Sequence, residues 1–177
     1  GLNNMIVIMA NKIAINIDDR GYIADIADPR GVSLFPLQEA PFVRVGVAGK
    51  LLCPVTAKMN NGEIAIEMEC RYNVYIDVIQ KKGYSVIAVK EISDECDTLI
   101  FGPYPTVLGE TVGEVVGVVR AKGFAIGVQA LNIKTIGGFP IEYKEEIYKE
   151  YEIDKNVSQV SVGPIEYCRS AAYKTRF

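Results

Sequence analysis

Residues 55–70 read VTAKMNNGEIAIEMEC. Asn60-Asn61-Gly62 at their centre is a two-strand turn signal, because a type I′ turn needs positive φ and Asn and Gly tolerate it. The segment that follows alternates cleanly. Ile64, Ile66, Met68 and Cys70 fall on one face, with Glu63, Ala65, Glu67 and Glu69 on the other. A period of two with one apolar face describes a strand buried on one side and wet on the other. The expected unit is therefore an antiparallel hairpin, Val55–Met59 against Glu63–Cys70.

The same pattern extends in both directions. Downstream, Asn73–Gln80 alternates Val74, Ile76 and Val78 with Tyr75, Asp77 and Ile79, and Lys81-Lys82-Gly83 turns into Tyr84–Ile92. An acidic loop at Ser93–Asp97 precedes a short strand, Thr98–Phe101. Gly113–Arg120 and Phe124–Leu131 then form a second hairpin about Ala121-Lys122-Gly123. Upstream, Met5–Ala10 is an apolar run, and Ile13–Asp18 and Tyr22–Ala27 flank Asp19-Arg20-Gly21. Asp28-Pro29-Arg30-Gly31 is a turn, and Phe42–Val47 leads through Ala48-Gly49-Lys50 into Leu51–Cys53. Val157–Val162 reads as a further strand. The one helical pattern is Glu142–Ile153, where Tyr143, Ile147 and Tyr151 recur every four residues. No internal repeat, low-complexity stretch or linker divides the chain. About ten to twelve short strands separated by turns predict an all-β, antiparallel two-sheet β-sandwich with at most one short helix. Ile64, Ile66, Met68, Val74, Ile76, Val78, Ile87 and Val89 are the expected inward residues.

Composition narrows the chemistry. The 177 residues suit one domain, and the apolar and charged fractions, 49% and 23%, are those of a globular chain. Nineteen Lys and Arg against 22 Asp and Glu leave a net charge of -3, which argues against a nucleic-acid partner. No apolar run reaches the roughly 20 residues of a membrane span. Leu2–Ala10 lacks the cationic flank and cleavage site of a signal peptide. With no His, a Ser-His-Asp triad is excluded and the commonest metal ligand is missing. Cys53, Cys70, Cys96 and Cys168 show no paired spacing and read as buried free thiols in strands. Asp18, Asp19, Asp25 and Asp28 lack calcium-loop spacing and read as turn residues. No metal or cofactor is expected, and no Gly-rich phosphate loop is present.

The densest segment is Leu99–Pro140. Gly102-Pro103-Tyr104-Pro105-Thr106 reads as an ordered loop at a sheet edge, since two prolines interrupt a strand. Glu110 and Glu114 share a face if extended, but roughly 13 Å apart, against the roughly 5–10 Å of a glycosidase pair. No catalytic residue is expected. Tyr22, Tyr72, Tyr75, Tyr84 and Tyr104 could stack on sugar rings or pack within the sandwich. Hairpin geometry places the loop Gly102–Thr111 near Gln129–Gly138. That end would gather Tyr104, Thr106, Glu110, Glu114, Gln129, Asn132 and Lys134. One ring, carboxylates, amides and a cation suit either a hydroxyl-rich ligand or a network that ties down the sandwich end.

Read whole, FGPYPTVLGETVGEVVGVVR (101–120) followed by FAIGVQALNIKTIGGFP (124–140) resembles the amino-terminal β-sandwich of large bacterial glycoside hydrolases of the α-galactosidase-like kind, a galactose-mutarotase-like supersandwich. IAINIDDRGYIADIAD, PFVRVGVAGKLLCPVTA, GEIAIEMEC and GYSVIAVKEIS are similar in outline, so the resemblance spans roughly residues 10–140. It implies a single accessory domain from a longer multidomain chain. In that family a catalytic barrel of the same chain carries the carboxylates, and 177 residues cannot hold one. The implied partners are a glycan and that catalytic domain, and the implied location is periplasmic or secreted. The alternatives are a stand-alone carbohydrate-binding module and a purely structural interaction domain.

Overall fold

The computed structural model describes residues 4–36, 38–108, 110–112, 118–121, 124–127, 131, 135–137, 143, 146–147, 161–162, 165–168 and 171–174. Alternating sequence becomes alternating burial. β6 (Pro54–Asn60), β7 (Glu63–Met68), β8 (Asn73–Gln80) and β9 (Ser85–Ile92) form a four-stranded meander in chain order. Asn61 and Gly62 have φ of 49° and 78°, as the turn demanded, and Asn60 pairs with Glu63. Ile64, Ile66, Met68, Val74, Ile76 and Val78 are all buried. Ile87 and Val89 are half-buried against the same core, because β9 is the outer strand of the meander.

β1 (Ile6–Ala10), β2 (Ile13–Ile17) and β3 (Ile23–Ala27) form a second meander. Ile6, Ile8, Ile13, Ile17, Ile23 and Ile26 join the meander's inward face in one apolar core. Fully burying one such side chain stabilises the fold by roughly 1.5–3 kcal/mol, so this isoleucine-rich interior dominates the energetics.

The third sheet is not in chain order. β4 (Val43–Val47) and β5 (Lys50–Leu52) form a hairpin, and β10 (Thr98–Phe101) adds to β4. β18 (Ala171–Lys174) inserts between β10 and β15 (Thr135–Gly137). Val43, Val45, Leu52, Leu99 and Phe101 face the main core. Arg44, Leu51 and Ile100 are also buried but lie outside that cluster, as do Tyr143 and Ile147. Within the expected helix, Glu146 and Ile147 are helical, and the Ile147 N–H donates to the Tyr143 carbonyl at 3.1 Å. Gly46 permits this: a Cβ there would fall on the Tyr143 hydroxyl and within 2.5 Å of its Cζ.

Two small sheets complete the fold. β11 (Tyr104–Thr106) is the outer strand beside β17 (Ile165–Cys168) and β16 (Ser161–Val162), and β12 (Glu110–Val112), β13 (Val118–Ala121) and β14 (Phe124–Gly127) form a meander. Every strand pair among the described residues is antiparallel. The protein is thus all-β and sandwich-like, as its alternation implied.

The loop expected at a sheet edge over Gly102–Thr106 is limited to Gly102 and Pro103, and Tyr104–Thr106 is instead the edge strand β11. Thr98 to Ile100 pair with Lys174 to Ala172, and Tyr104 to Thr106 pair with Cys168 to Glu166. The paired numbers have one constant sum, so a single register runs from one sheet into the next, with Gly102 at φ 80° between them. Strands that cross between sheets at a bend make the corners of a sandwich. Pro105 is tolerated because β11 is an outer strand, where a residue without N–H need not break a ladder on both sides.

Candidate functional site

The β1–β2 turn is tight, with Ala10 paired to Ile13 and Asn11 at φ 58°. Asn enters this region at low cost. The β8–β9 turn lies against it. Gly83 has φ 94°, the Lys81 N–H donates to the Tyr84 carbonyl at 2.8 Å, and the Ser85 hydroxyl donates to the Met9 carbonyl. That tie joins the two turns, and Asn11, Lys12, Gly83 and Tyr84 line one cleft.

Between these turns lies a cleft of about 300 Å³. Ile13, Ile15 and Ile26 line it from the β1–β3 sheet, and Ala125, Ile126 and Gly127 from β14. Tyr104 also lines it. The Tyr104 ring stacks on Phe42 at 6.0 Å and 12°, and its hydroxyl donates to the Phe42 carbonyl at 2.6 Å. Tyr84 is the ring left open, at 54% exposure. Apolar lining with one exposed ring, an amide and an ammonium is the usual make-up of a small-ligand site.

Pro29 lines the cleft too, in a turn with a twin. Asp18-Asp19-Arg20-Gly21-Tyr22 and Asp28-Pro29-Arg30-Gly31-Val32 share the order Asp-x-Arg-Gly and the same hydrogen bonds. Asp18 Oδ1 accepts from the Arg20 and Tyr22 N–H groups, both at 3.0 Å. Asp28 Oδ1 accepts from Arg30 and Val32, at 2.8 and 2.9 Å. Each second carboxylate oxygen meets the arginine of its own turn, at 3.2 and 3.0 Å. Gly21 and Gly31 have φ of 88° and 81°. Asp18, Asp19 and Asp28 have the turn role expected of them, whereas Asp25 lies within strand β3 and pairs with Asn16, and the two turns form a short structural repeat that the sequence analysis did not anticipate. Its signal was Asp-x-Arg-Gly recurring ten residues on. Burial acts to raise the Asp28 carboxyl. The Val32 N–H, the Arg30 side chain and the Arg30 N–H outweigh it and hold that carboxyl below its ordinary range.

Of the residues expected to gather at one end, Tyr104, Thr106 and Glu110 lie among the described residues. Tyr104 and Thr106 are core residues, 4% and 0% exposed, and Leu108 N–H reaches the Thr106 hydroxyl at 3.4 Å. Of the described members of that set, Tyr104 lines the cleft. Glu110 pairs with Arg120, which pairs with Ala125, so Glu110 stands at the turn end of the β13–β14 hairpin. Val118 and Gly127 pair at the other end, so Glu110 and the exit of β14 do not share an end. Strand β12 turns the chain round before β13, which hairpin reasoning alone omitted. Glu114, Gln129, Asn132 and Lys134 lie outside the described residues. Tyr84 was one of the five tyrosines that could stack on a sugar ring or pack within the sandwich, whereas nothing in the segments of Asn11 and Lys12 indicates that two remote turns meet.

The cysteine expectation also changes. Cys96 is buried in the loop before β10, Cys53 is half-buried between β5 and β6, and Cys70 is exposed on a 3-10 turn at φ 60°. None of the three is within a strand. Burial, with Glu95 and Asp97 nearby, pushes the Cys96 thiol up to about 11. Burial next to Cys53 pushes the Tyr22 hydroxyl up to about 12. Among the described residues no cluster of His, Cys, Asp and Glu could hold a metal, and no helix is long and apolar enough to cross a membrane.

No protein-family model matches the chain, and comparisons with curated proteins and with solved structures return no match.

Proposed function

We propose that this chain is an accessory, non-catalytic β-sandwich domain that holds a glycan for a carbohydrate-active hydrolase, with the cleft as the glycan site. The observation that carries the reading is the exposed Tyr84 ring beside an apolar floor, with Asn11 and Lys12 at the rim. The C–H face of a pyranose packs on such a ring, and amide and ammonium groups meet its hydroxyls. The sequence resemblance supports the same role and adds a catalytic domain of the same chain as partner, in a periplasmic or secreted protein.

Calorimetric titration with a panel of oligosaccharides tests it. Tyr84→Ala should weaken binding at least tenfold, a loss of about 1.4 kcal/mol, with an unchanged melting temperature. Binding of no glycan by the wild type, or equal binding by Tyr84→Ala, defeats the reading. The isolated domain should hydrolyse no nitrophenyl glycoside, and turnover by the pure protein would replace the accessory role with an enzymatic one.

A further inference from the structure

Charge at the cleft runs against charge in the chain. The protein as a whole carries -3. Of the described residues that line the cleft, Lys12 is the one with a formal charge, and none is acidic. Lys12 is exposed, and no ion pair engages it among the described residues. Two more exposed lysines, Lys81 and Lys82, directly precede the Gly83-Tyr84 wall. The nearby acids are already engaged. The Asp28 carboxylate is wholly buried and bonded to Arg30 and to two backbone N–H groups, and Asp25 accepts from the Ser33 hydroxyl at 2.5 Å. An exposed ammonium at the rim of the cleft attracts a ligand carboxylate with the modest strength of a surface ion pair.

Resting on the glycan reading above, we infer that the ligand is an acidic oligosaccharide, a uronate whose carboxylate meets the Lys12 ammonium while its ring packs on Tyr84. Both residues belong to adjoining turns that line the same cleft. An ammonium–carboxylate hydrogen bond is stronger than either group's bond to a neutral hydroxyl. The preference is therefore for the charged sugar over its uncharged twin.

The test compares oligomers of galacturonate, glucuronate and mannuronate with the same oligomers methyl-esterified, which keeps the ring and removes the charge. Titrations use the full chain at low salt. The acid should bind about threefold to fivefold more tightly than its ester, the range of an exposed ion pair. Lys12→Ala should abolish that difference, Lys12→Arg should keep it, and both should melt as the wild type does. About 0.5 M salt should also abolish it, since screening then acts within a few ångströms. Equal binding of acid and ester overturns the inference and leaves the glycan reading standing. A preference that survives Lys12→Ala also overturns it, by moving the charge recognition elsewhere. Failure of acid and ester alike, together with failure of every neutral oligosaccharide, removes the glycan reading and this inference with it.

Discussion

The meander β6–β9 and the ladder joining β10–β11 to β17–β18 are built by opposite routes. In the meander each strand pairs with its chain neighbour, and turns of two to four residues, Asn61-Gly62 the shortest, set the register. In the ladder Thr98 meets Lys174 and Thr106 meets Glu166, with more than fifty residues of chain between the two sides. Short loops close at little entropic cost and long ones at more, so the meander forms from local signals and the ladder from what is left unpaired. A local turn pattern can therefore be read as structure, whereas a remote pairing has to be found.

The largest effect should come from cutting the ladder. Removal of residues 161–177 takes away β18, which separates β15 from β10, together with β16 and β17. Strands β10, β15 and β11 would then each lose a partner, two of them buried, and we expect the cooperative thermal transition to disappear. A truncated chain that melts cooperatively at the wild-type temperature would show that the meanders carry the fold alone.

Ile76→Ala probes the meander's centre, where the side chain is 0% exposed. The cavity should cost about 2–5 kcal/mol in denaturant unfolding, and a loss below 1 kcal/mol would mean that the local sheet contributes less than its burial implies. Gly46→Ala should cost about 1–3 kcal/mol by overpacking against Tyr143. Combining it with Tyr143→Ala, which empties that space, should make the Gly46→Ala step nearly neutral. If the two losses simply add, the contact is not the cause.

The twin turns allow a finer comparison within the local region. The Asp28 side chain is fully buried and the Asp18 side chain is 25% exposed, so Asp28→Asn should lower the melting temperature more than Asp18→Asn. Asp28 is held below the ordinary carboxyl range when folded. Its contribution is thus complete above about pH 4 and is lost as the pH falls through the depressed value. Wild type and Asp28→Asn should therefore differ in melting temperature at neutral pH and converge on acidification, and a gap that widens in acid would contradict the carboxylate's role. The smallest effect is chemical. Iodoacetamide at pH 8 should alkylate exposed Cys70 quickly and spare Cys96, whose thiol is pushed up to about 11. Mass mapping reads this directly, and equal labelling would show that the loop before β10 opens readily.

These regions also mark how much was legible beforehand. The inward set Ile64 to Val78 was plain because a period of two leaves one register that hides the apolar face. The same reasoning extended the loop at Gly102-Pro103 over Tyr104–Thr106, because a proline's acceptability depends on whether its strand is an outer one, and that depends on where β17 lies. At the candidate site, Tyr104 belonged to the expected set and does line the cleft, but as a buried ring bonded to Phe42. Asn11, Lys12 and Tyr84 belong to two turns more than seventy residues apart.

By itself, then, the sequence determined the class of fold, the hairpins with positive-φ turns and the apolar face of the central meander. Each of these follows from interactions a few residues apart. Tertiary structure alone decided the order of strands in the five-stranded sheet, the crossing at Gly102 and the residues that share a cleft. Those depend on which unpaired edges meet once the local sheets have formed, and a backbone hydrogen bond satisfies its donor and acceptor without regard to the side chains beside it.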